Sequence, residues 1–343
     1  MSLALGHPSL GYYRRQDPLG VAGDFVTAPE VSQMFGEIIG LWLAEAWSGL
    51  GRPAPARLVE LGPGRGTLTA DVLRATAGVE SFRRSLGIHL VETSPRLRQT
   101  QAERLVGVTV EWHDDLGEVP PGPLFLVANE LFDALPVHQL VRTGQDWVER
   151  RVGLAEGGDL AFVLDDRPSP LSEQIPERGA AAAGAVAEVS PARAALAHQI
   201  GERIAASGGV ALLIDYGAWA LGPTGDTLQA VRGHAACAPL ASPGEADLSA
   251  QVDFRALAEA ASSGGAAVYG PVPQGTFLRT LGIEARALQL LGRASAEQRR
   301  ELRVGLFRLT DPSAMGEAFK VFVLASPESP PPPGFGAPTL RPP

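Results

Sequence analysis

Short apolar runs alternate with amphipathic stretches along most of the chain, the pattern of a mostly parallel sheet with helices between its strands. The runs predict strands over 57–61, 88–91, 109–112 and 124–128, another over 210–214 and a last one over 319–324. Helical periodicity fits 31–48, 68–74 and 95–105. The alternation breaks between Val137 and Ser207. There Leu140-Val141-Arg142, 147–152 and 160–164 alternate around glycine-rich or polar turns and predict a small antiparallel insert. Ser190-Pro191 reads as a cap with proline at the first helical position, opening a helix to about 206. Residues 218–275 are rich in glycine and small residues and resist assignment. The chain is thus expected to divide into an N-terminal segment with the first half of the core (1–137), an insert of small sheet plus helix (138–207), and the second half of the core with a further insertion (208–325). A proline-rich tail (326–343) lacks apolar periodicity and is expected to be extended and disordered.

At 343 residues the chain can bury a full α/β core with an elaborated insert. Its 29 basic and 38 acidic residues leave a net charge of −9, which argues against nucleic acid as a general partner. Cys237 is the single cysteine, so neither an intrachain disulfide nor a cysteine zinc site is available. His113 and His138 are isolated in sequence, and no metal site is expected. With no apolar run of spanning length and no signal peptide at Met1, the expectation is a soluble, cytoplasmic protein without membrane insertion.

Candidate chemistry concentrates at the predicted strand ends. Residues 57–67 read Arg-Leu-Val-Glu-Leu-Gly-Pro-Gly-Arg-Gly-Thr. An apolar strand carries Glu60 into a turn with glycines at Gly62, Gly64 and Gly66, and a helix follows. Such a turn lets backbone approach a nucleotide closely and aims helix-end N–H groups at it. Thr67 stands where a dinucleotide fingerprint would place its third glycine. Glu60 would instead face a cation, and S-adenosyl-L-methionine carries an ammonium and a sulfonium. The Glu-x-Gly-x-Gly-x-Gly pattern is that of class I methyltransferases; an ordinary βα turn is the alternative.

The second strand runs into Glu92, placed to accept both hydroxyls of a ribose. After the third, Asp114 is positioned to accept from the adenine amine, or belongs to a solvated acidic loop. The fourth ends in Asn129-Glu130-Leu131-Phe132-Asp133. Asn129, Glu130 and Asp133 have the chemistry to hold a guanidinium, localise its charge and accept the proton shed as a methyl arrives. A helix start with two acids favoured by the dipole is the simpler alternative. Upstream, Gly23-Asp24-Phe25-Val26-Thr27-Ala28-Pro29-Glu30 holds more polar groups than one cap requires, although the dipole alone would favour Glu30. Asp215 either faces the pocket or caps a turn.

These blocks, together with His7-Pro8-x-x-Gly11-Tyr12-Tyr13, Val91-Glu92-x-Ser94-Pro95, Asp215-Tyr216-Gly217, Gln274-Gly275-x-Phe277-Leu278 and Met315-Gly316-x-x-Phe319-Lys320, resemble the MidA-like methyltransferases. The similarity runs from His7 to Ala325. It implies a class I α/β fold, Rossmann-like, with a mostly parallel seven-stranded sheet, helices on both faces and an inserted substrate-recognition region. It also implies methyl transfer from S-adenosyl-L-methionine to arginine of a protein substrate, in mitochondrial members a subunit of respiratory complex I. Carried over residue by residue, Glu60, Gly62, Gly64, Glu92 and Asp114 would hold the cofactor. Gly23, Asp24, Thr27 and Glu30 would close over it, and Asn129, Glu130 and Asp133 would line the acceptor side. Gln251 stands where histidine is expected in many bacterial members, and the leading helix is expected to be short or absent. Methylation of a small molecule, and a non-catalytic assembly role with the cofactor as structural ligand, remain as alternatives.

Overall fold

The computed structural model describes residues 1–15, 26–223 and 225–342. The first four strands are β1 (Ala56–Leu61), β2 (Leu86–Val91), β3 (Val110–His113) and β4 (Leu124–Asn129). Next come β5 (His138–Thr143), β6 (Asp146–Leu154), β7 (Leu160–Pro168) and β8 (Val186–Val189), an antiparallel sheet of their own in the order β7-β6-β5-β8. The chain returns to the core with β9 (Gly209–Ala218). A three-stranded sheet follows from β10 (Gln229–Arg232), β11 (Ala235–Cys237) and β12 (Asp247–Ser249), and then β13 (Val252–Asp253) pairs with the end of β9. An antiparallel pair, β14 (Ala267–Pro273) and β15 (Phe319–Ala325), closes the core.

The core path runs β14-β15-β9-β4-β1-β2-β3, parallel from β9 to β3, with β15 antiparallel to both its neighbours. Every residue of β4 is buried, as a central strand covered on both faces requires. One face packs Phe35, Ile39 and Leu43 of the helix Gln33–Gly49 and Val72 of Thr67–Ala75. The other packs Ala197, Ile200 and Ile204 of Pro191–Ser207 and Leu257 and Ala261 of Phe254–Ser263. Those last two helices approach so closely that a Cβ on Gly201 would lie 2.3 Å from the Ala261 carbonyl oxygen. The chain builds outward from β1 to β3 and then returns to the other side of β1 with β4. This reversal opens a crevice between the carboxyl ends of β1 and β4, where α/β folds bind ligands. No helix of the described residues is long and apolar enough to cross a membrane.

Three expectations are corrected. The helix expected over 31–48 is two pieces, Ala28–Val31 and Gln33–Gly49, because extended Ser32 interrupts it and caps the second by accepting from the Met34 amide. The helix assigned to the insert, Pro191–Ser207, belongs to the core: its apolar stripe lies on β4 and β9, and the antiparallel sheet ends at Val189. Nor is the tail disordered. The Val268 amide of edge strand β14 donates to the Leu340 carbonyl at 2.8 Å, and the Thr339 amide returns a bond to the Val268 carbonyl at 2.7 Å. The Trp42 indole donates to Pro333, and Phe335 packs against Tyr269 and Phe277. An open sheet edge leaves amides and carbonyls unpaired, and here the tail covers them. The short leading helix is present as Ser2–Gly6.

If the tail contributes to the core in this way, Phe335→Ala should lower stability by about 1–3 kcal/mol. Denaturant unfolding checks this; an unchanged midpoint would return the tail to its disordered assignment.

Candidate active site at the carboxyl edge of the sheet

The crevice holds a cavity of about 400 Å³, within the range of small-molecule sites. Glu60, Gly62, Gly64, Glu92, Asp114, Thr27, Glu30, Asn129 and Glu130 all line it, brought together from five separate segments. Four other predicted residues are not part of this lining. Gly66 caps the helix Thr67–Ala75 behind the turn. Asp133 is not among the lining residues and lies close enough to Asp215 and Asp247 for their charges to act on it. Gly23 and Asp24 lie outside the described residues.

The glycine turn has the conformation its sequence requires. Gly62, Gly64 and Gly66 have φ of 63°, 51° and 75°, left-handed values that side chains disfavour. A Cβ on Gly62 would also lie 2.9 Å from Leu131, filling the cradle. At the end of β1, Glu60 is 6% exposed and accepts a hydrogen bond from the Thr69 hydroxyl. Burial raises its carboxyl to about 7, the Thr69 bonds opposing. A cation beside it would restore the charged form.

Glu92 follows β2 and is likewise buried. One carboxylate oxygen accepts from the Ser94 amide at 2.7 Å, and burial raises its pKa despite that bond. Gln101 joins this wall to the turn: its amide nitrogen donates to the Gly64 carbonyl at 2.7 Å, and its oxygen accepts from the Trp112 indole at 2.8 Å. Gln101 had not been expected. Its signal was available, since a glutamine at the middle of the Leu97-Gln101-Leu105 apolar stripe interrupts a helix face. Asp114 is more open and pairs with Arg98 at 2.8 Å.

The acceptor end is built from the bend after β4. Glu130 has φ of 53°, uncommon for a residue with a side chain. Its amide donates to the Ile214 carbonyl at 2.8 Å, which holds the bend. One carboxylate oxygen accepts from the Ala28 amide at 2.8 Å and from the Asn129 side chain at 3.1 Å. Burial raises Glu130 to about 7, with the Ala28 bond opposing and the Asp133 charge reinforcing. The Asn129 side-chain oxygen is buried and has no hydrogen-bond partner among the described residues. Such a group is costly unless something donates to it. Glu30 accepts from the Thr67 hydroxyl, so the segment carrying Thr27 and Glu30 is tied to both ends of the cavity.

Asp215 caps a turn instead of facing the cavity. It accepts from the Phe132, Asp133 and Tyr216 amides at 2.8, 3.2 and 2.9 Å. Opposite it, buried Arg193 donates to the carbonyls of Phe132, Asp133, Ala250 and Gln251 at 2.6–3.0 Å. Sequence reasoning missed Arg193. A cation in the first turn of a helix works against the dipole, and that misplacement was the available sign of a tertiary role. Burial pushes the Asp133 carboxyl well up, with Asp215 and Asp247 reinforcing.

The comparisons agree with this geometry. A family model described as "Putative S-adenosyl-L-methionine-dependent methyltransferase" matches residues 38–272. The mitochondrial protein arginine methyltransferase NDUFAF7 of Danio rerio is 37% identical over 347 residues, covering 94% of this chain and 81% of that protein. The Mus musculus protein of the same name is 40% identical over 355 residues, covering 94% and 79%. A Burkholderia thailandensis protein crystallised with S-adenosyl-homocysteine superposes with a TM-score of 0.79 at 28% identity, over 94% of this chain and 86% of that one. The expected class I fold and S-adenosyl-L-methionine as cofactor are both borne out. The expected cytoplasmic location is overturned, because the curated relatives matched over 94% of the chain are mitochondrial by name.

The buried acids make a prediction of their own. Glu60 and Glu130 are ordinary carboxyls near 4.5 in the unfolded chain and about 7 when folded. Their contribution to stability is full below about pH 4.5 and is lost as the pH rises through about 7. Thermal unfolding of Glu60→Gln without ligand should therefore vary less across this window than that of wild type. Equal slopes would mean that Glu60 is solvated.

Proposed function

The chain belongs to this family of S-adenosyl-L-methionine-dependent methyltransferases, and from that premise we propose that it methylates an arginine nitrogen of a protein substrate. The observation that carries the proposal is that Glu130 lines the cavity beside Asn129, whose buried side-chain oxygen has no partner among the described residues. Two acceptors, one of them acidic, suit the several donors of a guanidinium. The arginine specificity named for the vertebrate relatives supports the same choice. The acceptor we propose is a subunit of respiratory complex I, following the family resemblance.

Glu60, the Gly62–Gly64 backbone, Glu92 and Asp114 would hold the cofactor, since acids and a glycine cradle match its cations, ribose and adenine. When bound it would supply an electrophilic methyl on a sulfonium, the carbon–sulfur bond breaking to leave a neutral thioether as the methyl passes to nitrogen. The chain's own residues perform the rest. Asn129 and Glu130 hold the guanidinium and draw its positive charge from the reacting nitrogen. That nitrogen sheds a proton as its new bond to carbon forms, and the Glu130 carboxylate accepts it. Burial raises the Glu130 carboxyl, which favours its taking up that proton. The segment bearing Thr27 and Glu30 excludes water and keeps the reactants aligned.

Glu92→Ala should weaken S-adenosyl-L-methionine binding by about 1.5–3 kcal/mol through lost charge-assisted bonds. Calorimetry checks this, and unchanged affinity would remove the ribose assignment. Glu130→Gln should leave cofactor affinity unchanged and lower methylation at least ~100-fold. Wild-type turnover with weakened cofactor binding would assign Glu130 to the cofactor instead. Mass spectrometry of strains with and without the gene tests the acceptor. Loss of one methylarginine peptide supports the proposal, whereas a missing methylated metabolite replaces it with small-molecule methylation.

A further inference from the structure

Away from the cavity, His89, Glu111 and His113 bring three metal-ligating side chains to one place. Parallel pairing of β2 with β3 sets His89 opposite Glu111 and Val91 opposite His113. The two-residue period of strands then puts all three side chains on one face. His89 Nδ1 lies 3.0 Å from His113 Nε2 and 3.9 Å from a Glu111 oxygen. The three ligand atoms fall within 4.8 Å of one another. The histidines are 1% and 9% exposed, so their rings are held by packing, while Glu111 is exposed and free to adjust.

The geometry points to a divalent transition-metal site of the zinc class, with His89, Glu111 and His113 as ligands and water completing a tetrahedron. Zinc bonds to histidine and carboxylate of about 2.0–2.2 Å put tetrahedral ligand atoms roughly 3.3–3.6 Å apart. The observed separations bracket that spacing, and small side-chain adjustments would reach it. Two imidazole nitrogens at 3.0 Å must share one proton between them, and a metal ion would replace that proton. The other nitrogen of His89 is buried and has no partner among the described residues, so the pair is not one stage of a longer protein relay. Nearby Arg57 and Arg203 oppose a cation. Arg203 is committed elsewhere, donating to the Leu116, Val119 and Pro120 carbonyls at 2.9, 2.9 and 3.0 Å.

The consequence would be mechanical. β3 is a four-residue edge strand that among the described residues pairs with β2 alone, and it delivers Asp114 to the cavity. A metal bridging β2 and β3 just before Glu92 and Asp114 would staple that edge.

The test uses the full chain, stripped with chelator and titrated with Co²⁺ and with Zn²⁺. Expected results are one equivalent of zinc retained on dialysis, visible absorption typical of tetrahedral Co²⁺, and a higher melting temperature with Zn²⁺. Glu111→Ala, a change at an exposed side chain, should weaken Co²⁺ binding at least about 10-fold. His113→Asn should abolish the absorption and the zinc-dependent melting shift. The inference is overturned if wild type shows no Co²⁺ absorption at saturation. It is equally overturned if Co²⁺ affinity is unchanged in both variants while their circular dichroism matches wild type.

Discussion

A carboxylate and a guanidinium, both buried, fix the bend on which the active edge depends. Asp215 collects the amides of Phe132, Asp133 and Tyr216, and Arg193 collects four carbonyls from the same bend and from Ala250–Gln251. Neither charge is there for mutual attraction alone, since desolvating two ions costs about as much as their attraction returns. Their value lies in satisfying main-chain groups that leave the sheet and have no strand to pair with. Together with the bond from the Glu130 amide to the Ile214 carbonyl, they hold the chain after β4 in the bend where Glu130 has its left-handed φ.

The same burial that makes this scaffold costly makes the cavity selective. Glu60, Glu130 and Asp215 are all pushed to about 7 by desolvation. Asp215 is compensated by three amides and faces Arg193. Glu60 has the Thr69 hydroxyl, and Glu130 has one amide and one side-chain amide. These two acids therefore gain most from a ligand that brings positive charge. A cationic methyl donor and a cationic acceptor would each meet a carboxylate that is poorly solvated without them.

The segment between Thr27 and Ser32 connects the two ends of the cavity. Its Ala28 amide reaches Glu130, its Glu30 carboxylate reaches Thr67 at the start of the helix after the glycine turn, and Arg308 donates to the Val26 carbonyl at 3.1 Å. Displacing it would disturb the donor and acceptor ends together.

What could be read from sequence was local. The acid and glycines of 60–66, the acid ending β2, the strand periods and the Ser190-Pro191 cap each depend on residues within a few positions of one another. Short-range sterics, side-chain alternation and capping therefore expose them directly. Tertiary structure alone decided the rest. It turned Asp215 into the bend and brought Arg193 onto the Asp133 carbonyl, because orientation there depends on β9 and on Arg193, some 60–80 residues along the chain. It placed Gln101 across the Gly64 loop, set His89 beside His113, and laid the tail along β14. Proline and low periodicity in 326–343 describe how that segment would behave alone. They carry no information about a sheet edge with unpaired amides, which exists only once the core has folded.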